Sequence, residues 1–426
     1  SANRMGTLPG DKSWVIGFRV VIGEMPKTTP LPVLPPPLHQ RGVSEKIPTS
    51  LRRGPDPAVP FFKGPRVYVK IPPNSNGPLF SSHNHDPAIV ECPNGDLLAI
   101  WYTCVDEAGR ELGIAASRLR YGSEEWEPAE PFWDAPDRND HAPALWFDGR
   151  KTIYHFNGLS AAATWGNLAV VMRVSTDNGA TWSKARLIIP EHGLRHQPVE
   201  SVLKTRDGFM VLPADANPEG TALHVSRDRG RTWQDAGGTI AGIHGGVTQL
   251  KDGRLLAFGR FADIDGHMPK SISSNMGKTW VHGASVFPPI SKGQRLVLIR
   301  LMEGPLFFAS FANQITVTDA SGKQRQVKGL FGALSFDEGE TWSVHRLISD
   351  DGPVRKFGTT DSEPFTLGWE SAEPKGYLSV CQTTDGVIHL ISSRLHYAFN
   401  LAWLKAPPPA QPIPPPPFGN PVSYTH

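Results

Sequence analysis

The chain has 426 residues, among them 42 Gly, 41 Pro and 12 Trp, and its 43 Lys and Arg against 41 Asp and Glu leave a formal net charge of +2. Gly and Pro make up almost one residue in five, above the ~12% of an average soluble protein, which favours a turn-rich β-protein over a coiled coil. The balanced charge argues against nucleic acid or an anionic membrane as partner, and no apolar run reaches the ~18 residues of a membrane helix.

Residues 1–25 differ from the rest of the chain. The segment Ser1–Arg4, followed by Ile16–Val21, resembles the closing strand of formylglycine-generating-enzyme-like domains. The resemblance includes none of that family's catalytic cysteines and therefore implies no activity. It predicts that residues 1–25 are the remnant of a preceding domain of a longer protein, the alternative being a chance match.

Proline is concentrated in two segments, Pro26–Pro65 and Pro407–Pro421. Runs of consecutive prolines favour extended polyproline geometry and cannot build a β-ladder, because proline has no N–H to donate. We therefore expect a linker or wrapping arm at 26–60 and a tail at 406–426. The folded domain is then residues 61–405.

A strand–turn–strand pattern recurs within residues 61–405. Apolar residues such as Ala88–Val90 precede a Gly turn, and a second apolar run such as Leu97–Trp101 follows it. A period of about 50 residues with short strands is typical of a propeller, in which each unit stacks its apolar face on its neighbours. The pattern predicts an all-β fold, a six- or seven-bladed β-propeller with Pro-rich terminal arms. The six visible turns contain Gly95, Gly149, Gly208, Gly253, Gly304 and Gly386.

A second motif, Ser-x-Asp-x-Gly-x-Thr-Trp, occurs four times, with Asn in place of Asp in the third copy. Asp and Ser hydrogen-bond turn amides, Gly adopts a positive φ and Trp packs under the turn, so the motif is typical of a hairpin turn. These copies resemble the Asp boxes of sialidase-like β-propellers, and we interpret them as structural. They are Ser175–Trp182, Ser226–Trp233, Ser273–Trp280 and Ser335–Trp342.

Propeller geometry predicts which residues meet at the axis. The first residue of each inner strand opens on one face, the second strand of the blade ends on that face, and the Asp boxes lie on the other. Four inner strands start with His85, His141, His196 and His244, three of them as His-x-Pro. Burying several imidazoles together is costly unless a site uses them, so we expect a functional site on this face.

The ends of the second strands and the loops after them add further polar and aromatic side chains to this face. Glu91, Glu200 and Glu303 fall within strands or at turns, and we interpret them as structural. The additional candidates are Tyr102, His155, Asn157, Asp215, Arg260, Arg394, Trp165, His267, His396 and Tyr397.

The sialidase resemblance implies an activity that the inner strand of the first blade does not support. Sialidases open that blade with Arg-Ile-Pro, whose Arg is one of three that bind the sialate carboxylate, and Asp86 stands in its place here. The tyrosine nucleophile of that family and its Glu partner have no evident counterpart. A hydrolase would need two carboxyl groups across a cleft, for which Asp86 and Asp215 are the candidates.

The His-rich face resembles the propeller polysaccharide lyases, namely ulvan lyases and rhamnose–glucuronate lyases. This resemblance implies β-elimination at a glucuronate or iduronate residue of an anionic, sulfated glycan, with His and Tyr as acid and base and Arg on the carboxylate. We expect His141 as base and His196 or His85 as acid. Arg260 would bind the carboxylate. The other substrate-binding candidates are His244, His155, Asn157, Trp165, Arg394, Tyr397 and His267.

Three alternatives remain open at this stage: a sialidase-like exo-hydrolase, a carbohydrate-binding propeller without activity, and a metal site. No cofactor is required, but His85, His141, His196 and His244 could hold zinc, or the site a calcium ion, as a plug or carboxylate clamp. Cys92, Cys104 and Cys381 form no CxxC pair and support neither a disulfide framework nor a thiolate zinc site. We expect a monomer that meets its polysaccharide outside the cytoplasm, in the periplasm or beyond, with no nucleic-acid or membrane partner.

Overall fold

The computed structural model describes residue 23 and residues 42–73, 80–110, 112–136, 138–160, 168–190, 195–216, 220–358 and 363–414, with only the backbone of Arg195 and His196. The predicted remnant at 1–25 and much of the predicted arm and tail lie outside these ranges. The described residues form twenty-nine strands and one short helix, α1 (Leu401–Lys405). No helix in the described ranges is long and apolar enough to cross a membrane.

Six antiparallel sheets are arranged as the blades of a propeller, which confirms the predicted fold class and fixes the blade count at six. The first three blades are β2–β5 (His83–Glu91, Leu97–Cys104, Gly113–Leu119, Glu130–Trp133), β6–β9 (Pro143–Phe147, Ile153–Ser160, Leu168–Ser175, Arg186–Ile189) and β10–β14 (Arg195–Pro198, Leu203–Lys204, Met210–Ala216, Gly220–Ser226, Gln234–Ile240). In the third blade the inner strand is broken into β10 and β11.

In the remaining blades the strands also follow one another from the inside outwards in chain order, except that the outer strand of the last blade comes from the start of the described chain. They are β15–β18 (Ile243–Gln249, Leu255–Arg260, Pro269–Ser273, Val281–Ala284), β20–β23 (Val297–Arg300, Leu306–Thr318, Gln324–Ser335, Val344–Leu347) and β27–β29 (Ser379–Gln382, Ile388–Ile391, Leu395–Phe399) completed by β1 (Phe62–Val67). Strand β1 pairs antiparallel with β29, from Phe62 opposite Phe399 to Val67 opposite Leu395. The first described strand of the chain therefore closes the ring.

The described residues between Gly304 and Gly386 form no seventh blade. Strands β21 and β22 form a hairpin of 13 and 12 residues that extends beyond the ring. Two small sheets occupy the rest of the gap: β24 and β25 (Arg355–Phe357, Phe365–Leu367) form one, and β26 (Gly376–Tyr377) pairs parallel with β19 (Gln294–Arg295) in the other.

The Asp boxes form hairpin turns, as predicted, and they connect the third and fourth strands of four blades. In the first box Ser175 Oγ donates to Asp177 Oδ1 (2.7 Å) and accepts from the Gly179 amide (2.9 Å), while the Thr181 amide donates to Asp177 (3.0 Å). The Trp182 indole donates to the Gly179 carbonyl at 3.2 Å and is 9% exposed. The polar side chains of the box are thus hydrogen-bonded to one another and to the backbone of the same turn, which indicates a structural role for the boxes.

The six predicted Gly turns connect the first and second strands of the six blades, and their φ angles lie between 74° and 111°. These turns and the Asp boxes share one face of the ring, which we call the box face. The starts of the inner strands lie on the opposite face, which we call the cleft face.

Candidate functional site

The inner strands bend where they start, on the cleft face. The pairing register shifts by one residue between His85 and Ala88, and again between Ile243 and Gly246. Such a bulge turns the side chains around it and is common next to active sites. Asp86 (φ 52°) and His244 (φ 53°) are the positive-φ residues of these bulges.

This register corrects the prediction that four histidines occupy one blade position. His85 and His141 each precede the positive-φ residue, which is Asp86 in the first blade and Ala142 (φ 68°) in the second. His244 is itself that residue, one position further along. Both strands have the same bulge, so the two histidines differ in the position that they occupy within it, which the sequence pattern does not reveal.

The hydroxyl of Tyr377 lies at the centre of the cleft face. It accepts from Arg260 Nη1 at 2.6 Å and lies 3.2 Å from His244 Nε2. Arg260 and Arg295 both place their guanidinium groups over the Tyr377 ring, at 5.0 and 5.3 Å from its centroid. All four side chains are buried, so these contacts are made with little competition from water.

A carboxylate orients His244 from the other side of its ring. Asp215 Oδ2 lies 3.0 Å from His244 Nδ1, and Asp215 Oδ1 accepts from the His244 amide at 2.7 Å. Gln197 Nε2 donates to Asp215 Oδ2 at 2.8 Å. Asp215, His244 and Tyr377 therefore form a relay in which a carboxylate holds an imidazole against a hydroxyl, the arrangement of a base-activated nucleophile or proton donor.

His85 lies against the same tyrosine. Its ring centroid is 3.8 Å from that of Tyr377, and its Nδ1 shares a 2.7 Å hydrogen bond with Ser393 Oγ. Ser393 Oγ also accepts from the Tyr377 amide at 3.0 Å. One serine therefore fixes the positions of both rings.

A second polar cluster flanks His85. Glu107 accepts from the Tyr102 hydroxyl at 2.5 Å and lies 2.8 Å from His83 Nε2. The His83 hydrogen bond is the main reason why the pKa of Glu107 lies well below its ordinary value. His141 packs its ring 4.8 Å from that of Tyr102 and is buried on the far side of this cluster.

Asp86, at the bulge of the first inner strand, has its charge balanced within the protein. It forms a buried ion pair with Arg295, whose Nε also donates to the Leu378 carbonyl at 2.9 Å. Both carboxylates considered for a hydrolase are therefore already engaged, Asp86 by Arg295 and Asp215 by His244.

A cleft of about 520 Å³ opens above Tyr377 and His85. Cationic and carboxylate side chains line it in equal number. The cleft therefore has no uniform charge, and a charged ligand group would be bound only where it lies beside a side chain of opposite charge. The charged lining residues are Lys292, Lys375, Arg394, Glu107, Glu363 and Glu373.

Burial sets the protonation of the central groups. Desolvation lowers the pKa of His85 well below its usual value, so the ring is neutral, and raises the pKa of Tyr377 to about 12, opposed by Arg260. Desolvation also raises the pKa of Glu373, in the cleft wall, to about 7. Ser392 and Tyr397 donate to this carboxyl at 2.8 and 3.1 Å.

Several predicted site residues lie away from the cleft. His155 is buried between blades against Phe132 (4.9 Å between centroids), and the Asn157 amide donates to the backbone carbonyls of Asp140 and Gly158. Tyr397 is fully buried, so the predicted stacking on a sugar ring is wrong.

Other candidates are separated from the cleft by the fold or fall outside the described residues. His396 is buried between the last and first blades, and His267 is exposed on the loop after β16. Trp165 and the side chain of His196 lie outside the described residues. Among the described residues, no group of three or more His, Cys, Asp or Glu side chains could hold a metal ion.

Tyr377, Arg295 and Glu107 were missed by sequence reasoning. Tyr377 lies two residues before the inner strand of the last blade, so the rule that selected His85 applies to it as well. The irregular spacing between Gly304 and Gly386 concealed that strand. Glu107, on the loop after β3, carried no recognisable signal.

Comparison with known proteins supports the fold. The family model of the BNR repeat-like domain matches residues 95–390. Solved structures of similar fold include a protein of unknown function from Dyadobacter fermentans (TM-score 0.54, 14% identity, 80% of this chain and 99% of that chain). A K499G mutant of the NanB sialidase from Streptococcus pneumoniae has a TM-score of 0.54 at 9% identity, over 79% of this chain and 71% of that chain. The intramolecular trans-sialidase from Ruminococcus gnavus has a TM-score of 0.50 at 12% identity, over 77% of this chain and 96% of that chain. No curated protein matches the chain.

Proposed function

The chain belongs to the BNR repeat-like domain family, and on that premise we propose that it is a polysaccharide lyase that cleaves a uronic-acid-containing glycan by β-elimination. One observation carries the proposal: the Tyr377 hydroxyl lies between Arg260 and His244, with the His85 ring against it, at the floor of an open cleft. A cation, a neutral base and a protonated acid are the three groups that β-elimination needs.

Arg260 does not line the cleft itself but lies directly beneath it, where it donates to the Tyr377 hydroxyl, and from there it would neutralise the substrate carboxylate. Removing the proton from C5 of a uronate places negative charge next to that carboxylate, and a guanidinium lowers the barrier by neutralising it. The Nε of Arg260 is buried and has no hydrogen-bond partner among the described residues. An unpaired buried donor of this kind is costly and is typical of groups that a ligand completes.

His85 and Tyr377 divide the proton transfers. Neutral His85 takes the C5 proton as the C4–C5 double bond forms and the C4–O4 bond breaks, and the Tyr377 hydroxyl donates its proton to O4. Tyr377 is suited to the acid role because its raised pKa keeps it protonated. This assignment replaces His141 as the base, since His141 packs against Tyr102, whereas His85 lines the cleft and lies against the Tyr377 ring.

A second candidate is exo-glycoside hydrolysis with Tyr377 as nucleophile. The relay from Asp215 through His244 to Tyr377 favours it, because an oriented imidazole can take the phenol proton. Sialic acid itself is a poor fit, since Asp86 replaces a carboxylate-binding arginine and neutralises Arg295. A third candidate function is carbohydrate binding without catalytic activity.

Incubation with ulvan, polyglucuronate and sialyllactose separates the three. A lyase produces ultraviolet absorbance from the C4–C5 double bond, and a hydrolase produces reducing ends without it. Binding without product supports the non-catalytic reading. Each assay is run after metal chelation and again with added zinc or calcium, which tests the metal alternative. We propose an extracellular or periplasmic location for the monomer, because such polymers are met there.

A further inference from the structure

A partly buried chain of polar side chains joins the last blade to the first, away from the cleft. Arg66 Nη2 lies 3.0 Å from His396 Nδ1, and the Trp126 indole donates to the same nitrogen at 3.1 Å. Neither guanidinium nor indole can accept a hydrogen bond. His396 Nδ1 is therefore the acceptor of both, and the proton of this neutral ring is on Nε2.

The direction of the next hydrogen bond follows from this tautomer. His396 Nε2 donates to His389 Nδ1 at 2.9 Å, so the proton of His389 is on its own Nε2. Burial keeps both rings neutral, since it lowers the pKa of His389 to about 3 and that of His396 well below its usual value. The chain consequently ends in an N–H donor on His389.

His389 lines a groove of about 320 Å³ together with Arg53, Lys63 and Arg66. The Nε of Arg66 is buried and has no hydrogen-bond partner among the described residues. The groove therefore gathers N–H donors from β1, β28 and the segment before β1. A ligand group that accepts hydrogen bonds would therefore be favoured at its floor.

The carboxylates in the groove wall already have partners. Glu124 forms ion pairs with Lys63 and, at 3.8 Å, with Nη1 of Arg66, which leaves the Arg66 Nε unpaired. Glu91 accepts from the amide and hydroxyl of Thr384 (2.9 and 2.7 Å). Asp385 accepts from the Thr383 hydroxyl at 2.6 Å. Arg53 forms no ion pair within the described part of the chain.

An aromatic ring borders the donors. Tyr121 is 39% exposed, and Phe61 lines the same groove. An exposed ring beside cations and N–H donors is suited to the flat face and acidic group of a charged sugar. The turns at Gly95 and Asp385 in the wall place the groove on the box side, opposite to the cleft.

We propose that this groove is a second saccharide-binding site, which takes a sugar bearing a carboxylate or sulfate group. The oxyanion accepts from His389, Arg66 and Arg53, and the sugar ring stacks on Tyr121. Two sites on opposite faces let the protein hold one stretch of a polymer while another lies in the cleft. The inference goes beyond the proposed lyase reaction and does not depend on it.

Isothermal titration of the full chain with a glucuronate tetrasaccharide tests the site. The titrations use the Tyr377→Phe background, so that the ligand stays intact. Arg53→Ala and Tyr121→Ala change exposed or half-exposed side chains and are expected to weaken one binding event at least tenfold. Arg52→Ala is the matched control, because Arg52 is exposed next to Arg53 but does not line the groove; less than a twofold change is expected.

The outcomes separate this site from the cleft. An Arg394→Ala variant is expected to weaken binding in the cleft and to leave binding in the groove unchanged. If the protein shows no lyase activity but still binds the tetrasaccharide in an Arg53-dependent way, the lyase proposal fails and the groove proposal stands. Equal binding by the Arg53→Ala, Tyr121→Ala and Arg52→Ala chains would overturn the proposal. Inorganic sulfate that competes as well as the tetrasaccharide would also overturn it, because the sugar ring would then contribute nothing.

Discussion

The His244 imidazole and the Tyr377 hydroxyl, 133 positions apart in the chain, lie 3.2 Å from each other at the propeller axis. Their contact joins the fourth blade to the strand that precedes the last blade. Arg260 approaches the same oxygen, so a base and a cation share one hydroxyl. Variants of Tyr377, Asp215 and His85 test what this hydroxyl does.

Replacing Tyr377 by Phe removes the hydroxyl and keeps the ring. We expect turnover of a uronate polymer to fall at least ~100-fold, because general acid catalysis contributes about that much or more. The melting temperature should change by no more than a few degrees. Tyr154→Phe, which removes a half-buried hydroxyl outside the cleft, is the control, and a similar loss of activity there would contradict the assignment.

Asp215→Asn tests whether the carboxylate positions His244. We expect kcat to fall with little change in KM, because Asp215 contacts the imidazole and not the cleft. Combining Asp215→Asn with His244→Gln should cost no more than His244→Gln alone, since the two residues act as a unit. Strictly additive losses in kcat would show that Asp215 has only a structural role.

The pH–rate profile reports the protonation of His85. Burial lowers its pKa well below 6.5 and raises that of Tyr377 to about 12, so both groups stay in their active forms between these limits. In a Glu373→Gln background, which removes the cleft-wall carboxyl with a pKa of about 7, we expect kcat/KM to show no inflection near pH 6.5 on the acid side. A clear inflection there that disappears in His85→Gln would mean that the ring titrates normally and is solvated.

Glu200 makes stability depend on pH. Its carboxyl bridges the Leu145 amide and the Ser379 hydroxyl, both at 3.0 Å, and burial raises its pKa from 4.5 to about 7. The fold therefore favours the protonated form, and this stabilisation is complete below pH 4.5 and lost as the pH rises through about 7. We expect the free energy of unfolding to fall by about 3 kcal/mol as the pH rises through this window.

Glu200→Gln imitates the protonated carboxyl and should flatten that part of the profile in urea unfolding at several pH values. Glu373, whose pKa is also about 7, supplies a parallel contribution that the variant leaves in place. An unchanged slope in Glu200→Gln would show that Glu200 does not titrate in this window.

The Asp-box tryptophans should differ in their contribution to stability. Trp182 is 9% exposed and packs against Phe132 (5.2 Å between centroids), so Trp182→Ala is expected to cost about 3–5 kcal/mol. Trp233 is only partly buried, and Trp233→Ala should cost less. Chemical denaturation measures both, and an equal loss would contradict the burial argument.

The sequence allowed the scaffold to be predicted because its signals are local. Each Asp box satisfies its own turn within eight residues, and each Gly turn needs a positive φ at one position. Such requirements can be recognised without knowing the rest of the fold.

The cleft could be predicted only in part. The cleft face and the roles of His85 and Arg260 as candidates followed from the blade pattern. The inner strands of the first and fourth blades have the same one-residue bulge, but His85 precedes its positive-φ residue whereas His244 is that residue. Tyr377 is brought to the cleft by the parallel pair β19–β26, which joins segments about 80 residues apart. Neither effect leaves a local trace in the sequence.

Strand β1 is synthesised before any of the strands that it joins, and its partner β29 emerges from the ribosome more than 300 residues later. Until then β1 is an unpaired edge strand, and the last blade lacks its outer member. An unpaired edge is a template for wrong partners. Nascent chains released before Phe399 are therefore expected to aggregate, and co-expression of a peptide spanning 61–67 should not disturb a ring that has already closed.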